Sequence, residues 1–139
     1  MNLKYAKRSE DTEQIKVISW AKHNEIRLPE LKWLYHCPNG GNRNKAEAIK
    51  FKQMGVKPGV ADLHLPYPKG RYAGLYIEMK YGNNRLQESQ KEFLKDMECS
   101  GYFVVTCYSA RAAIDVIEKY CILNAAEEME IKNNSIIKD

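Results

Sequence analysis

The run GVADLHLPYPKGRYAGLYIEMK, from Gly59 to Lys80, constrains the fold more tightly than any other part of the chain. It holds two strand-like segments, ADLHLP and AGLYIEMK. The connection between them, PYPKGRY, is short and turn-rich, so the two segments return side by side as a hairpin-type pair. Three charges, Asp62, Glu78 and Lys80, sit within or at the ends of these apolar runs. An unpaired charge costs several kcal/mol to bury, so such groups are expected to be paired, hydrated or holding a metal.

Alternation decides where these charges point. Residues two apart on a strand share a face, so Glu78 and Lys80 project together while Ile77 and Met79 face the other layer. If the two segments pair, Asp62 comes alongside Glu78. Two carboxylates with a strand carbonyl, that of Met79, form a hard, oxygen-rich site suited to Mg²⁺ or Mn²⁺. Lys80 beside them is placed to stabilise developing negative charge on a phosphate and to help orient or deprotonate an attacking water. A salt-bridged cluster closing the end of a sheet would use the same three residues, and the flanking sequence has to decide between the two.

The flanking elements are readable from pattern. SEDTEQIKVISWAKHN predicts a first helix, with Ser9 and Thr12 as N-cap candidates and Val17, Ile18, Trp20 and Ala21 on one apolar face. LKWLYHC reads as a strand, with Trp33 and Tyr35 expected in the core together with Phe103. PNGGNRN is a turn-rich loop, and NKAEAIKFKQM is a short basic helix closed by Gly55. Leu86 to Cys99 is amphipathic and ends at Gly101, GYFVVTCY is an apolar strand, and SARAAIDVIEKYCIL is a helix capped by Ser109. The order α, β, α, β, β, α, β, α predicts an α/β fold, a mixed central sheet flanked by helices. Residues 1–123 form the expected domain, and the polar segment 124–139 either extends the last helix or stays unstructured.

Composition narrows the class. With 139 residues and 44% hydrophobic content the chain has material for one core. No apolar run approaches the ~20 residues of a membrane span, and MNLKYAKRSE lacks an apolar signal core, so a soluble, cytoplasmic protein is expected. Cys37, Cys99, Cys107 and Cys121 are scattered, with no C-x-x-C pair, and read as reduced thiols. The net charge of +4 is unevenly spread: between Arg43 and Arg85 nine Lys/Arg face three Asp/Glu, leaving the rest of the chain at −2. A basic middle around two acids suits a polyanionic partner with a cation between.

Asp62, fifteen residues, then Glu78-x-Lys80 resembles the PD-(D/E)XK nuclease motif. Four blocks in order, PNGG at Pro38 to Gly41, KPGVADLHLP, GLYIEMK and Leu86 to Leu94, are similar to the virus-type replication-repair nuclease (VRR-NUC) family, in particular its small stand-alone phage members. The likeness runs from about Thr12 to Leu123. It implies a restriction-endonuclease-like fold, Asp62 and Glu78 as metal ligands and Lys80 as the catalytic lysine. It also implies that Gln90 supports the site, that Glu13 is the acid of the first helix, and that Asn39, Gly40 and Gly41 form a loop near the DNA backbone. Ala61 stands where the broader motif often has a structural proline. Arg43, Lys45, Lys50, Lys52 and Lys57 are natural phosphate contacts in such an enzyme, or else a solvated face. His64 shares a strand face with Asp62 and is read as structural, and His36 is read as packing near the PNGG loop. The expected activity is Mg²⁺-dependent DNA endonuclease action, with Mn²⁺ substituting, by a homodimer in phage DNA replication, repair or recombination. A junction- or flap-selective nuclease and a DNA-binding module with little catalysis are the competing readings.

Overall fold

A computed structural model describes residues 6–40 and 44–139. Its elements are α1 (Glu10–His23), a 3-10 helix (Pro29–Trp33), β1 (Tyr35–His36), α2 (Lys45–Gln53), β2 (Leu63–Leu65), β3 (Leu75–Met79), α3 (Glu88–Cys99), β4 (Phe103–Cys107), α4 (Ala110–Cys121) and β5 (Ser135–Ile137). One five-stranded sheet runs β1-β2-β3-β4-β5. The β1/β2 and β2/β3 pairs are antiparallel, and β3/β4 and β4/β5 are parallel. This is the expected α/β architecture with a mixed sheet. Among the described residues no helix is long and apolar enough to cross a membrane.

The two faces of the sheet bury different amounts. Leu63, Leu65, Leu75, Ile77, Met79, Phe103, Val105 and Cys107 turn to the face covered by α1 and α4, which add Val17, Ala21, Ala113, Val116, Ile117 and Tyr120. Leu75, Ile77 and Met79 are essentially inaccessible, and each such side chain contributes about 1.5–3 kcal/mol on burial. Their burial holds β3 in one register and thereby forces the residues between them, Tyr76 and Glu78, onto the opposite face. There α3 covers the sheet with Leu94, packed on Ala61 and Val104 and flanked by Phe93 and Met97.

Local chemistry fixes the ends of these elements. Ser9 caps α1, and Thr12 returns the bond to close a capping box. Ser109 caps α4 by accepting from the Ala112 N–H. Gly59 has a φ of +91°, and a Cβ there would lie 2.5 Å from the Ser89 carbonyl oxygen. Only glycine lets the turn before β2 lie this close to the start of α3, which brings Asp62 and Gln90 to the same end of the sheet.

Three expectations need correction. LKWLYHC is only partly strand: Pro29 starts a 3-10 turn whose spacing sends Leu31 and Leu34 into the core, leaving two residues for β1. Trp33 and Tyr35 are therefore exposed, at 56% and 48%, although Phe103 is fully buried as expected. The segment 124–139 neither extends α4 nor stays unstructured. Asn133 accepts from the Val104 N–H and donates to the Tyr102 carbonyl, and residues 135–137 then pair in parallel with β4 as β5.

Candidate active site

Asp62 immediately precedes β2, and its carboxylate is held by two donors. Oδ2 accepts from the main-chain N–H of Met79 at 2.8 Å, and Oδ1 accepts from Asn39 Nδ2 at 3.2 Å. Asn39 Nδ2 also donates to the Val60 carbonyl at 2.9 Å, so the PNGG loop is fastened to the turn that carries Asp62. The main chain is clamped as well: the Asp62 carbonyl accepts from the Cys37 N–H, and His36 Nδ1 lies 2.8 Å from it. Asn39 thus touches the acid itself, an arrangement that the expectation of a DNA-contact loop did not contain.

Glu78 lies across the β2/β3 pair on the same face and is only 2% exposed. Its Oε1 accepts from Gln90 Nε2 at 2.8 Å and lies 4.0 Å from Lys80 Nζ. The orientation of the Gln90 amide follows from its other bond, because its Oε1 accepts from the Gln87 N–H in the capping box of α3. Glu78 Oε2 is buried without a hydrogen-bond partner among the described residues. Burial pushes the Glu78 carboxyl well above the usual carboxylate range, and the neighbouring Asp62 adds to the rise while Lys80 opposes it. Lys80 is 6% exposed and continues the β3 ladder, its N–H donating to the Cys107 carbonyl.

The structure therefore brings together Asp62, Glu78, Lys80, Gln90 and Asn39. It does not bring in Glu13. That carboxylate is 2% exposed but spent elsewhere, accepting from Arg8 at 3.0 Å, Lys16 at 2.8 Å and the Ala110 N–H at 3.3 Å. Desolvation raises its pKa, yet the Lys16 and Arg8 bonds outweigh it and leave Glu13 below its ordinary value. It ties α1 to the start of α4. The acid of α1 whose charge reaches Glu78 is Glu10, one turn earlier, which accepts from Asn84 Nδ2 at 3.1 Å. Glu10 and Glu13 are three apart on one helix, so spacing alone could not choose between them.

The remaining expected residues fall into three groups. Lys45, Lys50, Lys52 and Lys57 are exposed, with no ion pair among the described residues, and α2 buries none of its side chains. Gly40 has a φ of +104° with open space where a side chain would stand; Gly41 and Arg43 lie outside the described residues. His64 is structural, stacked on Tyr76 with ring centres 4.1 Å apart and bonded to the Tyr35 hydroxyl at 2.9 Å, and burial lowers its pKa.

The donor set fits a hard divalent cation. Two carboxylates face one another, one with an oxygen that no described residue partners, although no group of three or more His, Cys, Asp or Glu side chains gathers among the described residues. Mg²⁺ suits such a sparse set, since it is commonly held by one or two carboxylates and completes its shell with water and phosphate.

A mixed α/β sheet with Asp62, Glu78 and Lys80 gathered at the ends of β2 and β3 has the layout of a PD-(D/E)XK-type nuclease. The VRR-NUC domain model matches residues 8–111. A solved structure of a VRR_NUC domain protein is 30% identical, with a TM-score of 0.74 over 91% of this chain and 100% of that one. No match was found among curated proteins. The chain belongs to the VRR-NUC domain family.

Proposed function

We propose that the protein is a Mg²⁺-dependent DNA endonuclease that hydrolyses phosphodiester bonds with water, yielding 5′-phosphate and 3′-hydroxyl ends. The observation that carries this reading is Glu78: a buried carboxylate with one oxygen left without a partner among the described residues, set against a second carboxylate. That arrangement is costly for the metal-free protein and favourable around a cation. Asp62 and Glu78, with the Met79 carbonyl, would hold the ion, which would supply Lewis-acid polarisation of the phosphate and a more acidic bound water.

The chain's own groups do the rest. Asn39 and the Met79 N–H keep Asp62 from rotating away, and Gln90 fixes Glu78 Oε1. Lys80, only 6% exposed beside Glu78, would donate to a non-bridging phosphate oxygen and orient the attacking water as charge develops. Water oxygen bonds to phosphorus, the 3′ oxygen leaves with the electron pair, and a proton returns to it. The exposed lysines of α2 and Lys57 would follow the phosphate backbone, positioning without reading sequence. One chain carries one such site, so a homodimer is proposed for cutting both strands of a symmetric substrate.

The test is a cleavage panel of plasmid, linear duplex, single strand, flap and four-way junction, with Mg²⁺, Mn²⁺ or EDTA. Cutting of duplex with either ion and none in EDTA is expected. Cutting restricted to flaps or junctions would favour the structure-selective reading, and binding without cutting would leave a DNA-binding module.

A further inference from the structure

Thr106 lies in the middle of β4, within the apolar run FVVTC, and is the Cα partner of Glu78 in the parallel β3/β4 pair. Its neighbours Val105 and Cys107 point into the core under α1 and α4, while Val104 packs under α3. Alternation therefore puts the Thr106 side chain on the α3 face, beside Glu78, with its Cα about 4.8 Å away across the strand pair. The residue is 1% exposed, and its Oγ1 has no hydrogen-bond partner among the described residues. Glu78 Oε2 has none there either. These two atoms lie on laterally adjacent residues of one face, so a single bond or a bridging water between them would satisfy both.

Resting on the metal-site reading above, we infer that Thr106 is a positioning residue for Glu78, its hydroxyl donating directly or through one buried water to Oε2 when the site is loaded. Gln90 holds one Glu78 oxygen from α3, and Thr106 holds the other from β4. The carboxylate is then gripped from both sides and presents a defined lone pair to the cation. A hydroxyl is the chemistry needed, because it donates one hydrogen bond without bringing a charge that would compete with the ion. Outer partners of this kind orient metal ligands, and their loss costs metal affinity more than it costs the fold.

The test compares metal binding with stability in the absence of metal. Thr106→Val keeps the shape and removes the hydroxyl; Thr106→Ser keeps the hydroxyl; Thr106→Ala removes both hydroxyl and methyl. Mn²⁺ binding is measured on the purified full chain by titration calorimetry and by paramagnetic resonance of free Mn²⁺. The Val and Ala variants are expected to bind Mn²⁺ roughly tenfold more weakly than wild type and Ser respectively. Thr106→Val in EDTA should melt no lower than wild type, because a buried hydroxyl without a partner is replaced by a methyl of the same shape. Wild-type affinity in Thr106→Val, or equal affinities in the Ser and Ala variants, would overturn the assignment. So would a Ser variant that binds as weakly as Val. A wild-type protein that takes up no Mn²⁺ overturns the metal site itself, a result distinct from wild-type binding that Thr106→Val leaves intact.

Discussion

Replacing Glu78 by Gln should make the metal-free protein more stable while disabling it. Glu78 is 2% exposed and meets Asp62 across the strand pair, with Gln90 donating to it closely and Lys80 only at 4.0 Å. The substituted glutamine would keep the bond from Gln90 through its carbonyl oxygen and present a neutral amide N–H toward Asp62, without the proton uptake that the buried Glu78 carboxyl requires on folding. Relief of an unsatisfied buried group of this kind is worth about 1–3 kcal/mol. For a chain of this size each kcal/mol moves the melting temperature by about 3–4 °C, so a gain of roughly 3–12 °C is expected at pH 8. The sign of the pH dependence follows from the raised pKa. Above the ordinary value of 4.5 the folded state binds more protons at Glu78 than the unfolded state does, so wild-type stability falls as pH rises from there through the raised folded value. Glutamine does not titrate, and the difference should shrink toward zero near pH 4.5. Melting curves in EDTA across this range, read by circular dichroism, check it. A variant less stable than wild type at pH 8, or a difference that does not change with pH, would mean that an ionisable Glu78 does not burden the metal-free fold.

Three further outcomes follow from the same geometry. Lys80→Ala should abolish plasmid nicking while leaving DNA affinity, measured by fluorescence anisotropy, within a few-fold, because in the proposed mechanism binding is spread over many cations and Lys80 acts on transition-state charge. Replacing Lys45, Lys50 and Lys52 together by Ala should weaken binding and flatten its log–log salt dependence by roughly 0.9 for each phosphate that is no longer neutralised, with Mn²⁺ affinity unchanged. Glu13→Gln should lower the melting temperature, since it leaves Arg8, Lys16 and the Ala110 N–H with a weaker acceptor, whereas Glu10→Gln should lower activity with little effect on melting.

How much of this was legible beforehand depends on the kind of signal. Strand alternation from Gly74 to Lys80 gave the shared face of Glu78 and Lys80, and the short PYPKGRY connection gave the pairing that brings Asp62 alongside. Those are local rules acting on strongly patterned residues. Gln90 was singled out by resemblance, while its bond to Glu78 required the register of α3 against the sheet. β5 escaped because Ser135, Ile136 and Ile137 are strand only by virtue of the open edge of β4 and the Asn133 clamp, which no window of sequence contains. Trp33 and Tyr35 were expected inside, but β1, which Tyr35 opens just after the 3-10 turn that ends at Trp33, is a two-residue sheet edge with little to bury them. Glu10 over Glu13, the bond from Asn39 to Asp62 and the place of Thr106 beside Glu78 are all lateral relations between distant segments. A hydroxyl inside FVVTC carries no mark of its neighbour until the strands are laid in order.

In the proposed mechanism Asp62 and Glu78 together hold the cation that lets this chain cut DNA. The most direct measurement is nicking of supercoiled plasmid as Mg²⁺ is titrated from zero, with wild type, Asp62→Asn and Glu78→Gln run side by side. Nicking by wild type that rises and saturates with Mg²⁺ and vanishes in EDTA is predicted, with both variants shifted to much higher Mg²⁺ or inactive. Nicking by wild type that persists in EDTA, or variants that follow the wild-type Mg²⁺ curve, would contradict it.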